Sequence, residues 1–497
     1  MKVFSWELSL HLLKHFRISR QFNQHCFVQG LPVVLRLHLI RRFKQEVVTQ
    51  FSILQVGDSV SDITNSMPTP TKSAAGTKSL FYGWLIVATA VVTFGISVGI
   101  PYYNLPFFYD YFQKAYGWEL KQITLGFPVA ALLTLWVGPL LIPRISPRKL
   151  IVAGTGLTAL AFFGFSAMTG SLPLYFALYF LYTVGYIFSG PIPHQILVSH
   201  WFQKKRGRAM GIVYVGVGLF GALGSYFVKI MTDRYGFQTA LMAVGGLMFI
   251  TWPLALFLLK DKPGEIGQYP DGLSFAPADV KLPPQSFVRL LRSKTFWLLL
   301  LGSICSIGSI GSINMHMKFV FRDAGFSDQK VLNATWATAS ALILFSSIAG
   351  RLSIGYFADV FSKKRVMTAT YFIVAATIPL LLAVSPARPS MVYVFAVIFG
   401  FSMGADYMLI PLMAAEQFGV NTLARAMAVI LPINTIGQTW CPYFVSAIRE
   451  QRQNYVAPMM VVFGIAMVGA LAITMMPRQS PLLEREEEPS TAQAPGD

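Results

Sequence analysis

Twelve apolar stretches of roughly 20 residues, separated by short polar segments, fill the chain from about residue 81 onward, and about 20 residues is the length a helix needs to cross the hydrocarbon of a bilayer. They run over 83–103, 122–142, 150–170, 173–197, 209–229 and 238–259, then 296–316, 332–350, 366–384, 391–413, 426–447 and 456–476. Backbone N–H and C=O groups cannot stay unpaired in lipid, so each stretch has to be helical. Internal prolines such as Pro101, Pro128, Pro193, Pro411 and Pro432 then become kinks. The fold class predicted is all-α integral membrane, with twelve transmembrane helices. Composition agrees, since only 12% of the residues are charged where a soluble protein has about 25%.

The net charge of +18 would in isolation suggest a nucleic-acid partner. Its distribution argues otherwise. With the N-terminus inside, the cytoplasmic segments carry 30 Lys and Arg and the opposite loops 10; without residues 1–80 the ratio is still 20 to 10. Positive loops stay on the cytoplasmic side, so the basic balance is topological, nucleic acid is excluded as a partner, and both termini are placed in the cytoplasm. The membrane expected is the plasma (inner) membrane.

The longest loop between spans, 260–294, holds Pro263, Pro270, Pro277, Pro283 and Pro284 and divides the spans six and six. The domains are therefore a six-helix bundle over 81–259, a cytoplasmic central loop, and a second bundle over 295–476. Arg208-Ala209-Met210 recurs as Arg425-Ala426-Met427 at the start of the eleventh span, preceded by Phe202 and Phe418, which marks the halves as repeats. Two such halves facing each other place a substrate site at the midplane between them. Residues 1–80 lack a span-length apolar run and read as a disordered cytoplasmic tail, with a basic amphipathic surface segment as the other reading. Met67 opens a short polar leader and is a candidate translation start; residues 477–497 read as a disordered acidic tail.

Two enzyme-like patterns fall in the wrong context. Gly400-Phe401-Ser402-Met403-Gly404 matches a nucleophile elbow, which requires a strand-to-helix turn, but lies inside a span. Gly216-Val217-Gly218-Leu219-Phe220-Gly221 fits a dinucleotide fingerprint but follows no strand. Glycines so spaced let helices pack closely in lipid. Cys26, Cys305 and Cys441, and the isolated His194, His200 and His316, have no metal-ligand spacing. No enzyme activity, metal or cofactor is expected.

Between the eighth and ninth spans stands Gly355-Tyr356-Phe357-Ala358-Asp359-Val360-Phe361-Ser362-Lys363-Lys364-Arg365. Glycine, three residues, aspartate and a basic cluster in a tight two-helix connection resemble the signature loop of the major facilitator superfamily, and the resemblance covers residues 81–476. It implies a cytoplasmic gate in which Gly355, Asp359, Lys363, Lys364 and Arg365 act with nearby Arg351, Glu416, Arg425, Arg206 and Arg208. The equivalent loop after the second span departs from the pattern: Pro143 stands in place of the aspartate and Ser146 in place of the glycine. Phe81-Tyr82-Gly83-Trp84, Tyr116-Gly117-Trp118, the segment from Trp201 to Gly211 and Asp323-Ala324-Gly325-Phe326-Ser327 resemble the monocarboxylate and oxalate–formate branch. That resemblance implies small organic anions as substrates. The eighth span, read as 332–350, contains no base, so the buried arginine that members of this branch use for carboxylate has no counterpart within it.

Ionisable groups deep in a span are costly and usually face a cavity or a partner. Asp406, in the tenth span beside Tyr407, is a candidate proton carrier or counter-ion. His316 and Lys318, near the outer end of the seventh span with Asn314, are candidate anion-facing groups. His194 and Gln195 follow Pro193 in the fourth span, and Tyr102, Tyr103, Asn434 and Gln438 complete the polar path set. The function expected is a secondary active transporter moving a small mono- or dicarboxylate by alternating access, as symport with protons or by exchange. Its partners would be that small molecule and the lipid bilayer, with the chain acting as a monomer. Efflux of amphipathic drugs or cations is the alternative, opposed by a fifth span that lacks proline. A receptor-like or scaffold membrane protein is the reading from another class.

Overall fold

A computed structural model describes residues 81–273 and 286–477. The terminal tails, the candidate start at Met67 and the middle of the central loop lie outside the described residues. The described residues form twelve helices long and apolar enough to span a membrane: α1 Gly83–Tyr116, α2 Gln122–Arg144, α3 Pro147–Ala167, α4 Leu172–Trp201, α5 Arg206–Tyr235, α6 Phe237–Leu258, α7 Lys294–Asp323, α8 Gln329–Val360, α9 Lys363–Leu382, α10 Ser390–Phe418, α11 Val420–Arg452 and α12 Val456–Met475. The chain is a multi-pass membrane protein.

Packing repeats with a period of six helices. In the first half α1 lies on α5 and α3 on both α4 and α6; in the second α7 lies on α11 and α9 on both α10 and α12. Small residues permit the closest approach. A Cβ on Gly350 would stand 2.0 Å from the Phe401 carbonyl oxygen and one on Gly404 2.2 Å from that of Ser347, so α8 and α10 meet backbone to backbone as lipid-embedded helices do. The glycines of the elbow-like and dinucleotide-like patterns serve this packing: Gly216 rests on the Val91 carbonyl and Gly400 on that of Ile343. Ser402 donates back to the carbonyl of Ile398 within its own helix.

Two boundaries differ from the sequence reading and both matter. The bend in α4 falls at Gly190, with φ −90° and ψ −144°, and the helix restarts with Pro191 at its first position. A proline there loses no helical hydrogen bond; Pro193 is simply carried within the second segment. The expectation that the eighth span holds no base is overturned: α8 continues ten residues beyond 350 to Val360, which puts Arg351 inside the helix. A charge ends an apolar run in the sequence, but it does not end a helix whose charged side chain faces away from lipid.

The halves meet through α5 against α8 and α2 against α11. On α5, Gly207, Gly211 and Gly218 face α8, where an added Cβ would stand 2.3 Å from the Gly355 carbonyl, 2.4 Å from the Arg351 carbonyl and 3.0 Å from Arg351 Nη1. Ala222 and Ser225 continue that stripe and are exposed, as are Ala337 and Ala341 on the facing stripe of α8. The two helices therefore touch over the half of their length nearest the end that bears Arg206 and Asp359, called here the basic face, and splay apart toward the other end.

Candidate functional site

A cavity lies between the halves, lined by Phe127 and Thr134 of α2, Thr183 and Tyr186 of α4, Tyr407 of α10 and Thr435 of α11, among others. Phe127 and Tyr186 form its first-half aromatic wall, with Tyr102 packed against both. Tyr102 stacks on Tyr186 with centroids 5.8 Å apart, and Phe127 meets Tyr102 edge-on at 5.8 Å. Opposite them Tyr407 donates to Gln438 Oε1 at 2.7 Å.

Arg351 reaches into the centre from α8. Helical side chains lean toward the N-terminus of their helix, so its guanidinium rises from the basic face to the level of Gly218. Gly218 stands 12 residues after Arg206 in the 30-residue α5, about 18 Å from that end at 1.5 Å per residue. The guanidinium is thus near the middle of the membrane. Its Nε and Nη1 are buried and have no hydrogen-bond partner among the described residues. Tyr103 and Tyr214 of the opposite half stand within electrostatic reach of it, and Gln195 donates to the Tyr214 hydroxyl. Gln195, Tyr214 and Tyr103 therefore form a polar wall facing a single buried base.

Other path candidates are placed elsewhere. His194 is fully buried, donates from Nδ1 to the Gly190 carbonyl at 2.8 Å and accepts at Nε2 from Thr93 at 3.0 Å. With both ring nitrogens engaged it is a hydrogen-bonded packing group at the α4 bend. His316 likewise donates from Nε2 to the Pro442 carbonyl at 3.0 Å and accepts from the Tyr455 hydroxyl at 3.1 Å. Lys318 lies over the Trp336 ring at 5.3 Å, and exposed Asn314 contacts the Met403 sulfur; with His316 they mark the part of α7 away from the basic face. Asp406 is buried inside the second half, where one carboxyl oxygen accepts from Ser306 at 3.2 Å and Tyr371 of α9 faces the same carboxyl. One turn along α7, Ser303 donates to Asn434 Oδ1 at 3.0 Å. Asp406 and Asn434 thus sit behind the cavity wall, with Tyr407 in front.

The basic face holds the second constellation. Asp359, at the end of α8, accepts from the main-chain N–H of Gly207 at 2.6 Å and of Arg208 at 3.0 Å, in the first turn of α5. The unsatisfied amides of a helix N-terminus carry partial positive charge, and the carboxylate sits on them. Glycine at 207 is required for that approach, because a Cβ would stand 2.7 Å from Asp359 Oδ1. Arg208 adds Nε at 3.6 Å from the carboxylate and lies over the Tyr356 ring at 4.3 Å. This contact joins the two halves. Gly355 and Arg351 also lie against α5, at Gly207, Gly211 and Gly218, whereas the following ion pair and hydrogen bonds each lie within one half. Lys363 pairs with Glu416 at 2.8 Å within the second half, Lys364 donates to the Met476 carbonyl at the end of α12, and Arg206 donates to Phe202 and Ser199 carbonyls at the end of α4. Arg365 is exposed and Arg425 half-buried one turn into α11.

Residues 260–273 of the central loop dock on the first half. Asp271 accepts from the N–H groups of Gln203, Lys204 and Lys205 at 2.9, 2.7 and 3.3 Å, with a left-handed φ of 57°. Its carboxylate orders the turn that leads into α5, two residues before the amides that hold Asp359. Asp271→Ala removes a capping carboxylate, a change that typically costs about 1–2 kcal/mol. The expected result is a thermal midpoint lowered by a few degrees in detergent, read from tryptophan fluorescence; an unchanged midpoint would show that the turn holds its shape without the carboxylate.

Sequence reasoning missed Tyr186, Tyr214 and Phe127, and placed Arg351 in the gate. A usable signal existed for Tyr186, four residues before the Gly190-Pro191 break, since a break turns the preceding helical face into a cavity wall. Tyr214 and Phe127 have no such marker.

Comparison with known proteins follows the same lines. A family model, the Major Facilitator Superfamily, matches residues 189–440 and 334–495. Human monocarboxylate transporter 11 is 21% identical over 439 residues, covering 83% of this chain and 88% of that protein. The fujikurins efflux protein of Gibberella fujikuroi is 23% identical over 343 residues, covering 66% and 67%. Among solved structures, the fucose:proton symporter FucP of E. coli superposes with a TM-score of 0.62 at 13% identity, over 80% of this chain and 100% of that one.

Proposed function

The chain belongs to the Major Facilitator Superfamily, and from that premise we propose that it moves a small organic anion of the mono- or dicarboxylate type across the membrane by alternating access of its two halves. The observation that carries this reading is Arg351, whose Nε and Nη1 are buried without a hydrogen-bond partner among the described residues near the middle of the membrane. A buried charge left unpaired is strongly destabilising, and a carboxylate is the group whose geometry matches the guanidinium fork. An anion bound there touches α8 on one side and the Tyr103 and Tyr214 wall on the other, so it favours closure of the halves around it. The similarity to a monocarboxylate transporter over most of both chains supports the same class.

Both termini lie in the cytoplasm and the basic face is the cytoplasmic face, because the positive loops belong there; the membrane is the plasma (inner) membrane and the working unit the monomer. Protons are the coupling ion and Asp406 carries them. A carboxyl enclosed by Ser306 of α7 and Tyr371 of α9, beside Tyr407 of its own helix, is costly to keep charged. Asp406→Asn is expected to retain exchange of labelled for unlabelled substrate and to lose accumulation driven by an inward proton gradient. Full gradient-driven accumulation in that variant would remove the carrier role.

The test of the function is uptake into proteoliposomes of labelled short mono- and dicarboxylates and a lipophilic cation, with and without an imposed proton gradient. Saturable carboxylate uptake is the expected outcome. Export of an amphipathic compound is the second reading, favoured by the similarity to an efflux protein and by the aromatic cavity wall; cation movement without carboxylate uptake would select it. Absence of any substrate-dependent flux would favour the receptor-like or scaffold reading.

A further inference from the structure

We infer that the substrate is an aryl monocarboxylate, a single carboxylate joined to a planar aromatic body, held with its carboxylate on Arg351 and its ring between Phe127, Tyr186 and Tyr407. This rests on the organic-anion reading above and narrows it. The two ends of the site are unlike. At one end stands Arg351 with Tyr103 and Tyr214 beside it. At the other the described residues lining the cavity include no Lys, Arg or His and no Asp or Glu. A dicarboxylate would carry its second charge into that uncharged end without a base to meet it, and an unpaired charge leaves water only at large cost.

The uncharged end is not merely apolar. Tyr102 and Tyr186 are stacked at an interplanar angle of 29°, and Phe127 stands edge-on to both, at 74° and 88°, with centroids 5.8 and 6.4 Å away. Tyr407, Leu431 and Pro432 of the second half face this cluster across the cavity. Aromatic pairs in offset or edge-to-face arrangements are stabilised beyond the area that they bury, and rings already fixed against each other lose little freedom when a further ring joins them. A run of rings links the two ends: Tyr103, next to Arg351, meets Tyr102 edge-on with centroids 5.4 Å apart, and Tyr102 stacks on Tyr186.

A short aliphatic acid on Arg351 would leave the aromatic end unused. A ring-bearing acid would touch Arg351 and Tyr407 of one half and Phe127 and Tyr186 of the other, which is the set of contacts that rewards closure.

The test compares propionate, 3-phenylpropionate and phenylsuccinate as substrates of the full chain in proteoliposomes. The KM for 3-phenylpropionate is expected to lie about tenfold or more below that for propionate, with phenylsuccinate the poorer of the two ring-bearing acids. Phe127→Leu, which keeps apolar volume and removes the ring, should raise the KM for 3-phenylpropionate severalfold more than that for propionate. Equal or better use of propionate by the parent protein would overturn the aryl assignment and leave organic-anion transport standing. Better use of phenylsuccinate would overturn the single-carboxylate part. Equal rises for both monocarboxylates in Phe127→Leu would reduce Phe127 to packing and overturn its place in the site. If none of the three acids is carried, the organic-anion reading itself falls, and this inference with it.

Discussion

Replacing Arg351 with glutamine is expected to abolish saturable carboxylate uptake while leaving the protein folded. The size of the effect follows from what the guanidinium does. Truncating one partner of a buried, hydrogen-bonded charge pair costs about 2–5 kcal/mol, or roughly thirtyfold to several-thousandfold in transport efficiency at 1.4 kcal/mol per decade. Stability should move the other way. Nε and Nη1 have no hydrogen-bond partner among the described residues, so the neutral side chain removes a poorly compensated buried charge, and the thermal midpoint should hold or rise. The two readouts together separate a binding role from a structural one: a structural arginine would lower the midpoint and the flux in parallel. Arg351→Lys keeps the charge and loses the bidentate fork, so it should retain a fraction of the uptake with a raised KM. Undiminished carboxylate uptake by Arg351→Gln would remove the observation on which the proposed substrate class stands.

How much of this the sequence made legible differs between fold and site for a physical reason. A lipid-spanning helix must be apolar over about 20 residues, and that requirement is written along the chain whatever the helix packs against. The twelve helices and their division six and six were therefore readable. Helix ends were not, because hydropathy registers where charge begins and not where hydrogen bonding stops. Arg351 is the costly instance: the first base after a long apolar run resembled a boundary, whereas its side chain is directed inward along α8 toward the cavity. Asp359 shows the complementary limit. Its signature spacing singled it out and suggested basic side chains as partners, yet its shortest contacts are main-chain N–H groups of Gly207 and Arg208, and an amide leaves no mark in a sequence. Gly207 was visible as a glycine, but the need for it depends on a carboxylate brought from 152 residues away. The histidines illustrate a third limit. His194 and His316 were singled out for their protonatable rings, and what decides their state is the pair of partners that each ring meets in the fold.

The Asp359 contact carries the second large prediction, on conformational balance and not on binding. Charge-assisted hydrogen bonds contribute about 1.5–3 kcal/mol each, and Asp359 makes two with the opposite half. The equivalent loop after α2 carries Pro143 in place of the acid, so a matching contact from α2 to the start of α11 has no carboxylate to form it. The closure at the basic face therefore leans on one side of the pseudo-symmetric pair. Asp359→Ala should shift the population toward forms open at that face by tenfold or more, at 1.4 kcal/mol per decade. Ala428 reports on this. It is fully buried and stands 3.7 Å from where a Cβ on Gly138 would lie, across the α2–α11 contact. In a background with Cys26, Cys305 and Cys441 replaced by serine, a thiol reagent added at the basic face should label Ala428→Cys about tenfold faster when Asp359 is alanine. Asp359→Glu is the control for charge: it keeps the carboxylate on a longer stem and should fall between. Arg208→Ala should have the smaller effect, because its guanidinium is partly exposed and 3.6 Å from the carboxylate, and exposed ion pairs contribute about 0–1 kcal/mol. Labelling that rises equally in Arg208→Ala and Asp359→Ala would assign the latch to the side-chain ion pair, and labelling unchanged in both would mean that backbone packing of Gly207 on Gly355 holds this face closed without the carboxylate.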